Sequence, residues 1–287
     1  MRRALSPIRK CISRILVWLK IMRDLRPVNL KSAVNILVSL IVDAALYLFY
    51  NHNIVNVLGG TYFIKDSNLY FYTRPRTDDL YHIIPGREGI IERFILHFVP
   101  EEGYFIDVGA NIGYYTCLIS KAKTKTKVVS VEPIPSTFKV LSLNCSLNKV
   151  KVITINKALW CKITRVSFDI PKLKKMYLYG LSHSRGRDIC LSSVEIPATT
   201  LDFILERYKL PRVDLVKIDA EGAEYKVLLG ARKTLEKTRY LYIECRKSLE
   251  EPVKNYLRKC GFVCLRWEVP HAVHLFCANR ALSTNVK

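Results

Sequence analysis

From Tyr104 onward, short apolar runs alternate with longer segments whose apolar residues recur three and four positions apart. The first rhythm belongs to buried strands and the second to helices with one face in a core. Residues 105–108 are therefore expected as a strand and 114–122 as a helix. Residues 127–132 and 151–156 follow as strands, with a helix over 136–147 between them. A basic stretch at 160–196 has weak periodicity and reads as less regular. Beyond it Thr200 can cap a helix reaching Tyr208. Strands at 213–219 and 240–244 alternate with helices at 223–235 and 250–258, and a pair at 262–267 and 273–278 closes the series. Crossovers of this length predict an α/β fold, a mostly parallel sheet of seven strands with helices on both faces. Ligands of such sheets sit beyond the carboxyl ends of the strands, where the winding reverses.

The first hundred residues are patterned differently. Runs at 54–57, 61–64 and 69–72 favour strands and are punctuated by Gly59-Gly60 and by Asp66 to Asn68, which predicts a small antiparallel lead-in. A helix is expected over 88–98, ended by Pro100 and Gly103. Upstream, 33–50 is apolar, but Ser32, Asn35, Ser39 and Asp43 recur at spacings of three and four, so one helical face is polar. The stretch is at the lower limit for a bilayer span, and Asp43 would be costly in hydrocarbon. Either a helix packed on the protein or one lying in a membrane surface fits better. The expected division is a basic helical extension at 1–52, the lead-in at 53–99, the main domain at 100–280 and a polar tail at 281–287.

Chemistry gathers at the strand ends. The loop Asp107-Val-Gly109-Ala110-Asn111-Ile-Gly113 follows a strand and opens a helix. Its glycines let a ligand approach the backbone closely. Asn111 stands where a dinucleotide fingerprint needs its second glycine, and no P-loop lysine follows. Asp107 suits a cofactor with a cationic amino-acid portion and would repel a pyrophosphate. The next strand ends in Glu132-Pro133, where an acid can accept both hydroxyls of a ribose. A third junction carries Asp219, Glu221 and Glu224, with Glu244 one strand further on. Asp219 and Glu221 are candidates for orienting or deprotonating an acceptor hydroxyl, as is His183 in the basic stretch that also holds Arg185 and Arg187.

Composition narrows this only a little. The 46 basic and 25 acidic residues give a formal charge of +21, which would steer the chain toward nucleic acid, anionic lipid or an anionic glycan without choosing among them. The nine cysteines sit largely in apolar runs, with no secretory leader before them. They are expected as reduced core residues of a cytoplasmic protein, peripheral to the membrane if the N-terminal helix binds one. Cys260, Cys264, His271 and His274 lack the spacing of a structural zinc site, and no metal is expected.

The motifs together resemble the FkbM family of methyltransferases. The matching stretches are FIDVGANIGYYT at 105–116, VVSVEPIPSTFKVLSLN at 128–144, NKAL at 156–159 and TTLDFIL at 199–205, then VDLVKIDAEGAEYKVLLGARKTL at 213–235 and YLYIEC at 240–245. The resemblance implies a Rossmann-like class I methyltransferase using S-adenosylmethionine, commonly with transfer to oxygen. It implies that Asp107, Gly109, Ala110, Asn111 and Gly113 surround the cofactor's amino-acid end. Glu132 and Pro133 would lie at the ribose, Ala158 nearby, and Asp219 at the junction with the acceptor. The acceptor expected first is a hydroxyl of a sugar, glycan or lipid-linked sugar, with peripheral contact to an anionic membrane. Ribose methylation of tRNA or rRNA is the alternative, with nucleic acid placed behind the glycan. A basic scaffold that keeps only the fold is a third reading. Oligomeric state is left open.

Overall fold

In a computed structural model, which describes residues 7–47, 54, 56–173, 176–177, 189–269 and 272–283, two helices lead the chain. They are α1 (Pro7–Asp24) and α2 (Leu30–Tyr47), joined through the short strand β1 (Leu25–Pro27). That strand pairs antiparallel with β2 (Gly60–Ile64), which pairs with β3 (Leu69–Thr73). The lead-in sheet therefore takes its third strand from before α2. Of the run expected at 54–57, the described residues contribute an isolated bridge from Asn56 to Thr77. Residues 48–50, the end of the apolar stretch, lie outside the described ones.

Helix α2 turns its polar stripe inward. Ser32, Asn35, Ser39 and Asp43 are all fully buried. Asn35 donates to the Tyr62 hydroxyl at 2.6 Å and accepts from the Leu58 amide at 2.7 Å. The hydroxyls of Ser32 and Ser39 accept from the amides of Thr61 and Val57. Asp43 takes hydrogen bonds from the Trp18 indole and the Arg14 guanidinium, each at 2.7 Å, which ties α1 to α2. Buried polar groups of this kind are tolerated only when bonded, so these partners hold the rotation of the helix.

The short helix α3 (Asp79–His82) and α4 (Gly89–Phe98) carry the chain to the main sheet. There β4 (Tyr104–Val108), α5 (Tyr114–Ala122), β5 (Lys127–Val131), α6 (Pro135–Leu147) and β6 (Val152–Ile155) follow the periodicity closely. An excursion comes next, made of β7 (Ala158–Leu159), β8 (Thr164–Leu173), β9 (Met176–Tyr177) and β10 (Ile189–Thr199). The chain returns through α7 (Leu201–Arg207), β11 (Val213–Asp219), α8 (Glu224–Leu229), α9 (Arg232–Glu236), β12 (Thr238–Cys245), α10 (Glu250–Lys259), β13 (Phe262–Glu268) and β14 (Val273–Asn279). The main sheet has seven strands in the order β13-β14-β12-β11-β4-β5-β6. Pairs from β12 to β6 are parallel, and β14 runs antiparallel to both its neighbours. This is the Rossmann-like class I methyltransferase architecture. The winding reverses between β4 and β11, so the crevice lies beyond their carboxyl ends.

Alternate residues of the central strands face opposite cores. Phe105, Leu215 and Tyr242 pack on one side, Ile106, Val216 and Leu241 on the other. Three expectations are corrected. Among its described residues the stretch 160–196 is not irregular: β8 and β10 pair antiparallel from Leu173 opposite Ile189 to Thr164 opposite Ala198, with Val166, Phe168, Val194 and Ile196 on a common apolar cluster. The period of two is short on each strand, Val166-Ser167-Phe168 and Val194-Glu195-Ile196, and so gave a weak signal. The helix expected at 223–235 breaks at Gly230, where the Trp160 carbonyl packs so closely that no Cβ would fit. Cys264 and Cys277 are not reduced. They face each other across the β13–β14 register, Cα atoms 4.0 Å apart, and form a disulfide. Cys117, Cys145 and Cys245 are buried free thiols, as expected.

Candidate active site

Strand register builds the site. Lys217 of β11 lies beside Asp107 of β4, and Asp219 beside Glu244 of β12, which in turn faces His274 of β14. The pleat sends all five side chains to one face of the sheet, where α4 and α5 pack. A cavity of about 450 Å³ opens at this edge. Its inner wall is Gly109, Ala110, Asn111, Glu132, Pro133 and Ala158, with Phe168 reaching over from β8. Glu88, Tyr115, Lys217, Asp219, Glu244 and His274 line the other part.

Of the residues singled out by sequence, most share this cavity. Gly109 and Ala110 both donate to the Val131 carbonyl, drawing the loop tightly against β5. Asn111 has φ +51° and Glu221 φ +52°, left-handed values that cost a non-glycine residue energy and often mark functional turns. The Glu132 carboxylate accepts the amides of Asn111 at 2.9 Å and Ile134 at 3.0 Å. Burial raises the Glu132 carboxyl to about 7, against the lowering effect of those amides and of Arg74. Asn156 holds the strand end from behind, donating to the carbonyls of Glu132 and Pro133. Glu221 sits exposed on the rim.

Others stand elsewhere. Asp107 does not reach the cavity wall. It is fully buried, accepts from the Thr116 hydroxyl at 2.7 Å, and lies 3.5 Å from the Lys217 ammonium. Gly113 also lies behind the wall, against Leu141 at the start of α5. Glu224 caps its own turn by accepting the Gly222 amide. His183, Arg185, Arg187 and His271 lie outside the described residues. No group of metal-ligating side chains occurs among those that are described.

Among the remaining groups, Glu244 was marked by sequence as a strand-end acid and His274 was weighed only as a zinc ligand, while Lys217 and Glu88 were assigned no role. Lys217 is buried 3.5 Å from both Asp107 and Asp219 and 5.5 Å above the Tyr115 ring. Burial alone would lower its pKa, but Asp219, Asp107 and Glu88 outweigh it and hold the ammonium charged. Glu88 accepts from the Tyr115 hydroxyl at 2.7 Å and pairs with Arg87. Burial opposes its ionisation, yet Arg87, Tyr115 and Lys217 keep it below the usual carboxyl range. Glu244 behaves oppositely: burial first, then Asp219 and Glu88, push it up to about 9 despite Lys217. It is therefore protonated at neutral pH. His274 bonds the Tyr242 hydroxyl through Nδ1 at 2.7 Å, and burial lowers its pKa. Tyr114 and Tyr115 both line the cavity.

These residues fit S-adenosylmethionine. Asn111 Oδ1, on the cavity wall, is buried without a hydrogen-bond partner among the described residues, and the walls supply carboxylates where a cationic amino acid would lie. Apolar Ile134, Ala158, Leu159 and Phe168 offer faces for a base beside Glu132.

Comparison with known proteins agrees. Hexuronic acid methyltransferase AglP of Haloferax volcanii is 27% identical over 175 residues, covering 60% of this chain and 69% of that protein. Methyltransferase sdnD of Sordaria araneosa is 26% identical over 162 residues, covering 46% of this chain and 61% of that protein. An rRNA methylase from Streptococcus thermophilus is similar in structure, with a TM-score of 0.43 and 11% identity over 66% of this chain and 93% of the other. Methanogen TYW2 (M. jannaschii), solved with AdoMet, has a TM-score of 0.41 and 17% identity over 80% of this chain and 86% of its own. The order that set nucleic acid behind a glycan partner is withdrawn; the similar solved structures include an rRNA methylase and proteins described as a putative tRNA (m1A22) methyltransferase and a putative rRNA methylase. A family model described as the methyltransferase FkbM domain matches residues 107–264. With that match over the Asp107–Gly113 loop, Glu132 and the Asp219 junction, the chain belongs to the FkbM family and is an S-adenosylmethionine-dependent methyltransferase.

Proposed function

We propose that the chain methylates a sugar-ring hydroxyl, with ribose in tRNA or rRNA the first acceptor to test. The observation that carries transfer to oxygen is the Asp219 carboxylate at the cavity edge, 3.5 Å from the buried Lys217 ammonium and beside Glu244. A neutral hydroxyl becomes a competent nucleophile only as its proton leaves, and a positioned carboxylate can take it. When bound, S-adenosylmethionine supplies an electrophilic methyl group. Gly109, Ala110 and Asn111 would hold its amino-acid end, Glu132 its ribose. Lys217 keeps Asp219 oriented, and Glu244 holds a proton on its carboxyl at neutral pH. The net charge of +21 is compatible with a polyanionic acceptor such as RNA. A carbohydrate acceptor is the second reading, supported by the resemblance to a hexuronic acid methyltransferase.

Radiolabelled methyl transfer to fractionated RNA, glycans and lipids tests this. An alkali-stable methyl ether is expected, on ribose if nuclease P1, which does not need the 2′-hydroxyl, releases the label as 2′-O-methylnucleotide. Label on a base nitrogen or carbon would sink transfer to oxygen. Ribonuclease-resistant label on a saccharide would move the acceptor to the second reading.

Two further outcomes are expected. Asp219→Asn should lower kcat roughly 100-fold or more, while cofactor affinity stays within about threefold. Retained turnover with intact folding would remove Asp219 as the base. Cofactor affinity should also depend on Glu132. Its carboxyl, raised to about 7, accepts ribose hydroxyls best when ionised, so binding weakens as the pH falls. Calorimetry should find affinity about tenfold lower at roughly pH 6 than at pH 8, with Glu132→Gln flattening the profile. An affinity that does not change over that range in the unaltered chain rejects the role.

A further inference from the structure

The N-terminal helix pair is inverted relative to an ordinary surface helix. By burying Ser32, Asn35, Ser39 and Asp43, α2 leaves Leu30, Val34, Leu37 and Ile41 in water, with Leu30 80% and Ile41 69% exposed. These four recur at helical spacing and form one stripe. Helix α1 buries Trp18 and Ile21 but exposes Ile12, Ile15, Leu16, Leu19 and Met22 along another stripe. Neither can be hidden by rolling α2 over, since that would strip the bonds from Asn35 to Tyr62 and Leu58 and from Asp43 to Trp18. Exposed apolar surface of this extent marks a docking face.

Charge selects the occupant. Arg23, Arg26 and Lys31 are exposed where the helices join, beside Met22, Val28 and Leu30. Residues 1–32 hold nine basic side chains and one acid, Asp24, which pairs with Arg23. Asp43 points inward. Apolar stripes flanked by cations match an interface of hydrocarbon and phosphate. RNA would satisfy the cations and leave the stripes in water. A second copy would bring like charges together. No helix among the described residues is long and apolar enough to cross a membrane. We propose that this face docks α1 and α2 in the surface of an anionic phospholipid bilayer.

Sedimentation of the full chain with vesicles tests it. The chain should pellet with mixed phosphatidylcholine–phosphatidylglycerol vesicles, stay in solution with phosphatidylcholine alone, and be released by salt. The triple variant Leu16→Ser, Leu37→Ser, Ile41→Ser should lose at least about tenfold in partitioning. Arg26→Gln with Lys31→Gln should weaken binding to the anionic vesicles. Cofactor titration of each variant verifies its fold. The proposal fails if the unaltered chain ignores anionic vesicles or if the serine variant binds them equally. It also fails if ultracentrifugation finds a dimer that the serine variant splits, or if the serine variant loses RNA binding while keeping lipid binding.

Discussion

Gly109→Ala should leave a chain that no longer holds S-adenosylmethionine measurably. The loop residue has φ +71°, where an L side chain is strained by about 1–2 kcal/mol. The larger problem is position. A Cβ on Gly109 would fall inside the van der Waals shell of the Asp219 carbonyl oxygen, which is backbone and has no rotamer to give. Relief requires the carboxyl ends of β4 and β11 to part, or the loop to lift from the Val131 carbonyl that both Gly109 and Ala110 bond. Either movement displaces Asn111 and its hydrogen bond to Glu132, and so disturbs both ends of the proposed cofactor site at once. Calorimetry should show affinity reduced by more than about 100-fold, since roughly 3 kcal/mol of misplacement suffices for that. A melting temperature within a few degrees of the unaltered chain, together with unchanged binding, would disprove the close approach.

Lys217→Met should be the most destabilising single change at the site. The ammonium is the cation nearest Asp107, a carboxylate sealed from water, and it also faces Asp219. Methionine fills similar volume but leaves those acids uncompensated, which typically costs about 3–5 kcal/mol. The pH dependence has a definite sign. Lys217 is among the groups that hold the nearby Glu88 carboxyl below its usual range. That contribution to stability is present above the unfolded pKa and is lost as pH falls through the folded one, so removing Lys217 takes away more at neutral pH than in acid. Chemical denaturation should therefore find the penalty small near pH 4 and largest at neutral pH. A uniform penalty across that range would mean that packing, not charge, is what Lys217 contributes.

How far these features could be read in advance depended on their range in the chain. The Asp107–Gly113 loop, Glu132 and the Asp219–Glu224 junction are local: each is a strand end followed by a helix start, visible as an apolar run, a turn and a capping residue. Glu88 and His274 are not. Glu88 opens an ordinary amphipathic helix and His274 lies within an ordinary strand, and neither has a neighbour in sequence that hints at the other. The β8–β10 ladder was missed for a related reason, since its apolar alternation is short on each strand and its register pairs residues well separated in the chain. The disulfide between Cys264 and Cys277 needed the register of two strands that composition could not supply.

Periodicity alone was enough for the seven-stranded core, because burial on both faces of a parallel sheet forces continuous apolar runs at every strand. Motif chemistry was enough for the cofactor, because glycine, asparagine and acid had to stand at fixed distances from strand ends. What the tertiary structure alone decided was which face meets which. It turned the polar stripe of α2 inward, where Tyr62, Leu58 and Trp18 satisfy it, and left apolar residues outside. It set Asp107 behind the wall and put Lys217 between two acids, because register, not sequence distance, determines which charges share a buried space.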